Sequence, residues 1–331
     1  MKHLPLLLLS ITLGCFAQQK TTGNLVALDD AFFDYVEENA KIEMLAEGFI
    51  WSEGPVWVKE GDYLLFSDVP QNTIFKWKDG EGLSEFLKPS GYTGVLPYSN
   101  EPGSNGLIIN NDGELVACEH GDRRISKMPL VGGGKFTLAD TWMGKRLNSP
   151  NDVVQASNGT YFFTDPPYGL PEQENSETRE IDAFGVFKIA PDGNVDMVVS
   201  NLTRPNGVAL SPDEKILYVN QSDSNAPYIM AYNIGEDGSL DEGRIFFDAT
   251  SLLESGLVGL LDGIKVAQDG TLFSTGPSGV LVITPKGKLL GRIETGQRTA
   301  NCAWGEDGSV LYMTADNYLM KIQTKTKGTG F

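Results

Sequence analysis

A strand, a turn and a second strand are legible in Pro205-Asn206-Gly207-Val208-Ala209-Leu210-Ser211-Pro212-Asp213-Glu214-Lys215-Ile216-Leu217-Tyr218-Val219-Asn220, and variants of that unit recur along the whole chain. Val208 and Leu210, then Ile216 and Tyr218, alternate with period two, and Ser211-Pro212-Asp213 supplies turn chemistry between the runs. Its relatives are Ser52-Glu53-Gly54-Pro55-Val56, Ser104-Asn105-Gly106-Leu107-Ile108, Pro150-Asn151-Asp152-Val153-Val154, Leu261-Asp262-Gly263-Ile264-Lys265 and Ala300-Asn301-Cys302-Ala303-Trp304. Each carries Glu, Asn or Asp ahead of a β-run, and successive units lie 39 to 56 residues apart. That spacing holds about four short strands, the content of one blade in a radial repeat. Six units therefore predict an all-β fold, a six-bladed β-propeller. If the leading polar residues open the innermost strand of each blade, the repeat gathers them around the mouth of the central channel.

The first residues stand outside this frame. Lys2-His3 followed by the apolar run Leu4 to Phe16 has the pattern of a secretory signal, so residues 1–17 are expected to be a signal peptide cleaved after Ala17. Leu13-Gly14-Cys15 offers lipidation at Cys15 as the second route. Either predicts a secreted or periplasmic protein, and the run falls short of the roughly twenty apolar residues that span a bilayer, so no membrane insertion of the mature chain is expected. A net charge of −18 repels phosphate backbones and anionic lipid heads, which argues against nucleic-acid and membrane-surface partners. Cys118 and Cys302 fall in blades that are not neighbours and are expected to be buried thiols.

Residues 18–40 are expected to form a lead-in, with Leu25, Leu28, Phe32, Tyr35 and Val36 of Asn24 to Glu38 at near-helical spacing. The propeller proper should occupy 41–331 as one domain. Blade six has room for about three strands after Ala300, so an N-terminal strand from Lys41 to Leu45 is predicted to complete it and close the ring. The Gly-, Pro- and Tyr-rich segment Lys88 to Gly103 should loop over the mouth, and Pro166 to Asp182 should form a solvated acidic insertion in blade three. Leu252 to Leu260 reads as a helical or loop connection.

Two familiar chemistries are removed by counting. The chain has two histidines, His3 and His120, so a His-based zinc cluster is impossible and a Ser-His-Asp triad would have to use His120. No G-x-S-x-G, G-x-G-x-x-G, Walker loop or C-x-x-C occurs. What the repeat offers is oxygen: Glu53, Asn151, Asn206 and Asp262, with Asn105 and Asn301 in the same frame. Two carboxylates and two amides are hard donors that would favour Ca2+, with Mg2+, Mn2+ or Zn2+ as alternatives. The same residues would equally serve as caps of the turns between blades. Asn105 and Asn301 are expected to contact substrate or water.

Glu53-Gly54-Pro55-Val56-Trp57, Ser149-Pro150-Asn151-Asp152-Val153-Val154, Thr164-Asp165-Pro166-Pro167-Tyr168-Gly169, Arg204-Pro205-Asn206-Gly207 and Leu261-Asp262-Gly263-Ile264 together resemble the gluconolactonase, regucalcin and senescence-marker-protein family of six-bladed propellers. The nearer likeness is to its bacterial gluconolactonase-like branch. The resemblance implies that Glu53, Asn151, Asn206 and Asp262 hold a metal, and that Asp262 acts as base or nucleophile in opening a sugar lactone. His120 is a further catalytic candidate, as a proton shuttle or a substrate-orienting group. Tyr92 and Tyr168 are candidates for stacking on a sugar ring, and Glu119 and Asp165 for substrate contacts at the mouth. Rival readings are a phosphotriesterase on the same metal ring, and a non-catalytic propeller that binds a sugar or protein around a structural Ca2+.

Overall fold

The computed structural model describes residues 20–331. The expected signal peptide, its cleavage after Ala17 and the alternative lipidation of Cys15 lie outside the described residues. Six antiparallel sheets of four or five strands succeed one another along the chain, beside a two-stranded ribbon of Thr141–Trp142 and Lys145–Arg146. The innermost strands are Ser52–Val58, Ser104–Ile109, Val153–Gln155, Pro205–Leu210, Ile264–Val266 and Thr299–Gly305, the six stretches picked out by the repeat.

The ring closes as expected. Ile42–Glu47 pairs antiparallel with Tyr318–Gln323, so the last blade holds strands from both ends of the chain. Thr21–Thr22 adds a short fifth strand outside it. The helical reading of the lead-in is corrected. Asn24–Ala27 is a strand paired with Leu289–Glu294 at the outer edge of blade five, followed by a 3-10 turn over Asp30–Asp34. The near-helical spacing misled because it spans two elements, leaving Leu28 55% exposed while Phe32 is fully buried. Phe32 sits where Gly291 carries no side chain; a Cβ there would lie 2.5 Å from its ring.

Hydrophobic cores fill the wedges between neighbouring blades. Phe273 of blade five meets Trp304 of blade six edge to face at 4.8 Å, and Trp57 of blade one stacks on Tyr312 of blade six at 5.4 Å. Such contacts between aromatic rings add to the gain from area burial. Cys118 and Cys302 are both buried free thiols, as expected, in separate cores.

Strand direction decides which loops meet. The chain enters each blade's innermost strand at the mouth, so in a four-stranded antiparallel sheet the connections after the second and fourth strands return there. The segment 88–103, the insertion 166–183 and the connection 249–263, which carries a short helix Thr250–Glu254, therefore all belong to the mouth face. The first has no strand of its own and is tied down by Asn72, whose Oδ1 accepts from the main-chain N–H groups of Ser90 at 3.0 Å, Gly91 at 2.8 Å and Tyr92 at 3.2 Å.

Candidate active site at the channel mouth

Four of the six leading polar residues sit at an irregularity in their strands, while Asn151 and Asp262 lie just ahead of theirs. Ladder register shifts between Glu53 and Val56, Ser104 and Leu107, Pro205 and Val208, and Thr299 and Asn301. A bulge of this kind re-aims a side chain that regular pleating would have turned into the sheet stack. The glycine that follows three of these residues, and Asp262, lets the next blade approach. Gly106 N donates to Asn151 O at 2.7 Å, Gly207 N to Asp262 O at 3.0 Å, and Gly263 N to Ala300 O at 2.8 Å. Gly54, with φ of +46°, has Asn105 O where a Cβ would stand. The motif Glu/Asn/Asp-Gly is thus both a polar group aimed at the channel and a main-chain seam joining blade to blade.

The seam surrounds a cavity of about 540 Å³, within the size range of small-molecule sites. Glu53, Asn105, Asn151, Asn206 and Asp262 line it together with Tyr168. Asn301 stands beside it, its Nδ2 donating to Glu53 Oε2 at 3.3 Å, and that same oxygen accepts from Gly54 N at 2.9 Å. Glu53 is 2% exposed, whereas Asp262 is only partly buried and is the more open of the two carboxylates. Asn206 Nδ2 donates to Ser222 Oγ at 3.0 Å. Asn105 Oδ1, Asn206 Oδ1 and Asp262 Oδ1 are buried acceptors that meet no donor among the described residues.

Burial pushes the Glu53 carboxyl up to about 7. Asp262 is raised well above its ordinary range, first by burial and then by the Glu53 charge. The two titrate as a pair, and the second negative charge forms only against the first. Beneath them Asp152, also raised by burial, accepts from Val153 N at 3.0 Å and Val208 N at 3.3 Å, with the Lys265 charge pulling the other way.

The remaining expected residues are elsewhere. His120 is fully buried, with Nδ1 against Glu101 O at 3.2 Å and Nε2 without a partner; burial lowers it to about 4, so the ring is neutral at pH 7. Glu119 is buried in ion pairs with Arg124 at 2.7 Å and Lys135 at 2.6 Å. Asp165 is buried below the blade-three insertion, where its Oδ2 accepts from Asn148 N at 2.7 Å. Tyr92 stacks on Tyr98 with centroids 5.2 Å apart and donates to Leu96 O at 2.9 Å, packing its own loop. None of these four lines the cavity.

The expected cation is corrected here. Among the described residues no group of three or more His, Cys, Asp or Glu side chains is placed to hold a metal ion, so neither Ca2+ nor the alternatives Mg2+, Mn2+ and Zn2+ are supported. The repeat delivers two carboxylates where Ca2+ seeks six to eight oxygens. One Glu53 oxygen already accepts two N–H groups, and the next carboxylate, Asp152, is spent on backbone amides.

Three wall residues, Trp51, Glu101 and Arg298, gave no functional signal in the sequence, and a fourth, Arg204, entered only as the first residue of the Arg204-Pro205-Asn206-Gly207 stretch, without a role of its own. Arg204 lies over the Tyr168 ring, 5.8 Å from its centroid, and pairs with Glu174 at 2.9 Å.

The buried carboxylates set a pH dependence. Glu53, Glu101 and Asp165 are each pushed up to about 7 by burial. The native protein thus keeps protons that the unfolded chain releases near 4 to 4.5. Their contribution is complete at low pH and is lost as pH rises through about 7, so unfolding free energy is expected to be larger at pH 5 than at pH 7.5. Urea midpoints at the two values check this; a higher midpoint at pH 7.5 contradicts it.

Residues 51–317 match the profile of the family described as SMP-30/Gluconolactonase/LRE-like region. A gluconolactonase of Zymomonas mobilis is 39% identical over 313 residues, covering 93% of this chain and 88% of that protein. The lactonohydrolase oryL of Aspergillus oryzae is 30% identical over 305 residues, covering 84% of this chain and 68% of that one. Among solved structures, a gluconolactonase from Xanthomonas campestris superposes with a TM-score of 0.79 at 29% identity, covering 93% of this chain and 99% of the other.

Proposed function

Since the chain belongs to the SMP-30/gluconolactonase/LRE-like family, we propose that it is a hydrolase that opens the ring of a sugar lactone at the channel mouth. The observation that carries this reading is the set of buried acceptors at the cavity wall, Asn105 Oδ1, Asn206 Oδ1 and Asp262 Oδ1, beside a carboxylate pair. A buried acceptor without a donor is costly, and the hydroxyl groups of a sugar ring are the donors that would satisfy it. A phosphotriester has none to offer.

Asp262, open to the cavity, takes a proton from water as the water oxygen attacks the lactone carbonyl carbon. The carbonyl oxygen becomes an oxyanion, for which the Asn151 side-chain amide is a donor with no hydrogen-bond partner of its own among the described residues. Collapse breaks the bond between carbonyl carbon and ring oxygen, and the departing oxygen takes up a proton. Because Glu53 and Asp262 share a site, Asp262 is a stronger base than a free carboxylate, and kcat/KM should rise with pH as the pair loses its last proton.

The direct test follows proton release at constant pH from a panel of aldonolactones, with the protein-free rate subtracted. Turnover of one or more of them is expected. No acceleration across the panel by folded protein would sink the reading.

A further inference from the structure

Glu101 stands on the loop 88–103, outside the repeat, and lines the same cavity as Glu53 and Asp262. Its main chain is anchored at the residue itself and at the two that follow. The Glu101 carbonyl faces His120 Nδ1 at 3.2 Å, Pro102 O accepts from Gly121 N at 3.0 Å, and Gly103 N donates to Val69 O at 2.9 Å. Its carboxyl group, by contrast, makes no hydrogen bond or ion pair among the described residues. A fixed backbone carrying an unpaired acid into a cavity is the arrangement expected of a group held for a substrate.

Resting on the lactonase reading above, we infer that Glu101 is the acid that protonates the departing ring oxygen. Water attack transfers one proton to Asp262. Cleavage of the carbon–oxygen bond leaves the electron pair on the ring oxygen, which takes the proton from the Glu101 carboxyl. The products are a hydroxy acid, an ionised Glu101 and a protonated Asp262, and a proton passed back between the two through solvent resets the site. His120 is then a positioning residue, since its ring holds the Glu101 carbonyl without reaching the cavity.

The charged groups facing Glu101 support the assignment. The Glu101 charge helps to raise the carboxyls of Glu53 and Asp262, from blades one and five. The cations lining the cavity are Arg204, already paired with Glu174, and Arg298 on the exposed rim. Burial pushes the Glu101 carboxyl itself up to about 7, so that a large share of it still carries a proton near neutrality.

The test uses the leaving group. A saturated lactone expels an alkoxide, whose conjugate acid is about as weak as water, with a pKa near 15.7. A benzo-fused lactone whose ring oxygen is bonded directly to the arene expels a phenolate, with a pKa of about 10, and has little need of an acid. Glu101→Gln is expected to lower kcat on a saturated lactone by about 100-fold or more, the usual scale of general-acid catalysis, and on a benzo-fused lactone by less than about tenfold. It should also remove the alkaline limb of the pH–rate profile on the saturated substrate, while Glu101→Asp retains that limb. Equal losses on the two lactones, or an unchanged alkaline limb, would overturn the assignment; continued turnover of the aryl substrate shows that the variant is folded. If the unmutated protein opens neither lactone, the lactonase reading itself fails, and this outcome is distinct from a loss confined to the variant.

Discussion

Asp262→Asn is expected to lower kcat by about 10²- to 10⁴-fold, the range that loss of a general base spans, and at the same time to make the protein more stable at pH 8. The two effects share one cause. Asp262 is held in a site where burial and the Glu53 charge both oppose its ionisation. Its folded pKa therefore lies above its unfolded one, and it withdraws stability as pH rises through the folded value. An amide of the same shape loses the proton acceptor and with it the electrostatic cost. A gain in stability at pH 8 is therefore expected, smaller at pH 5 and gone only below about pH 4, where the carboxyl of the unfolded chain is protonated as well. Steady-state kinetics and thermal melts at both pH values read the two effects. A variant that is inactive and also less stable at pH 8 would assign Asp262 a structural role instead.

Gly207→Ala is expected to cost about 3 kcal/mol or more, the upper end of overpacking penalties, and to abolish most activity. Its φ is ordinary, so the objection is contact. A Cβ would stand 2.1 Å from Asp262 O and 2.9 Å from Gly263 Cα, both main-chain atoms of the next blade. Gly207 N also donates to Asp262 O at 3.0 Å, so relief requires moving the residue that carries the proposed base. A lower urea midpoint with unchanged slope, together with a lower kcat, is the expected pair of results. Wild-type values for both would mean that blades four and five are not seated on one another through this contact.

The fold was legible because the repeat encodes it twice, in the period-two strands and in the Glu/Asn/Asp-Gly pairs. Sequence distance did not hide the ring, since a radial repeat turns equal spacing into a common radius. The lead-in was misread because Leu25 and Phe32 belong to a strand and a 3-10 turn whose combined spacing imitates a helix. The cation was inferred from donor type and from the family resemblance, and neither reveals that Glu53 already accepts two N–H groups or that the neighbouring Asp152 is spent on backbone amides. His120 drew attention by rarity, yet depth in the fold is not written in its neighbours Glu119 and Gly121. Glu101 went unread for the converse reason. It lies in a loop with no frame to align it, and only the return of that loop to the mouth brings it to the cavity.

The pairing of Ile42–Glu47 with Tyr318–Gln323 acts as a clasp between the two halves of one polypeptide. The clasp can fasten only when the final strands have been made. Until then Asn301 has no fixed Glu53 to donate to, so catalytic competence arrives with the last part of the chain rather than growing blade by blade.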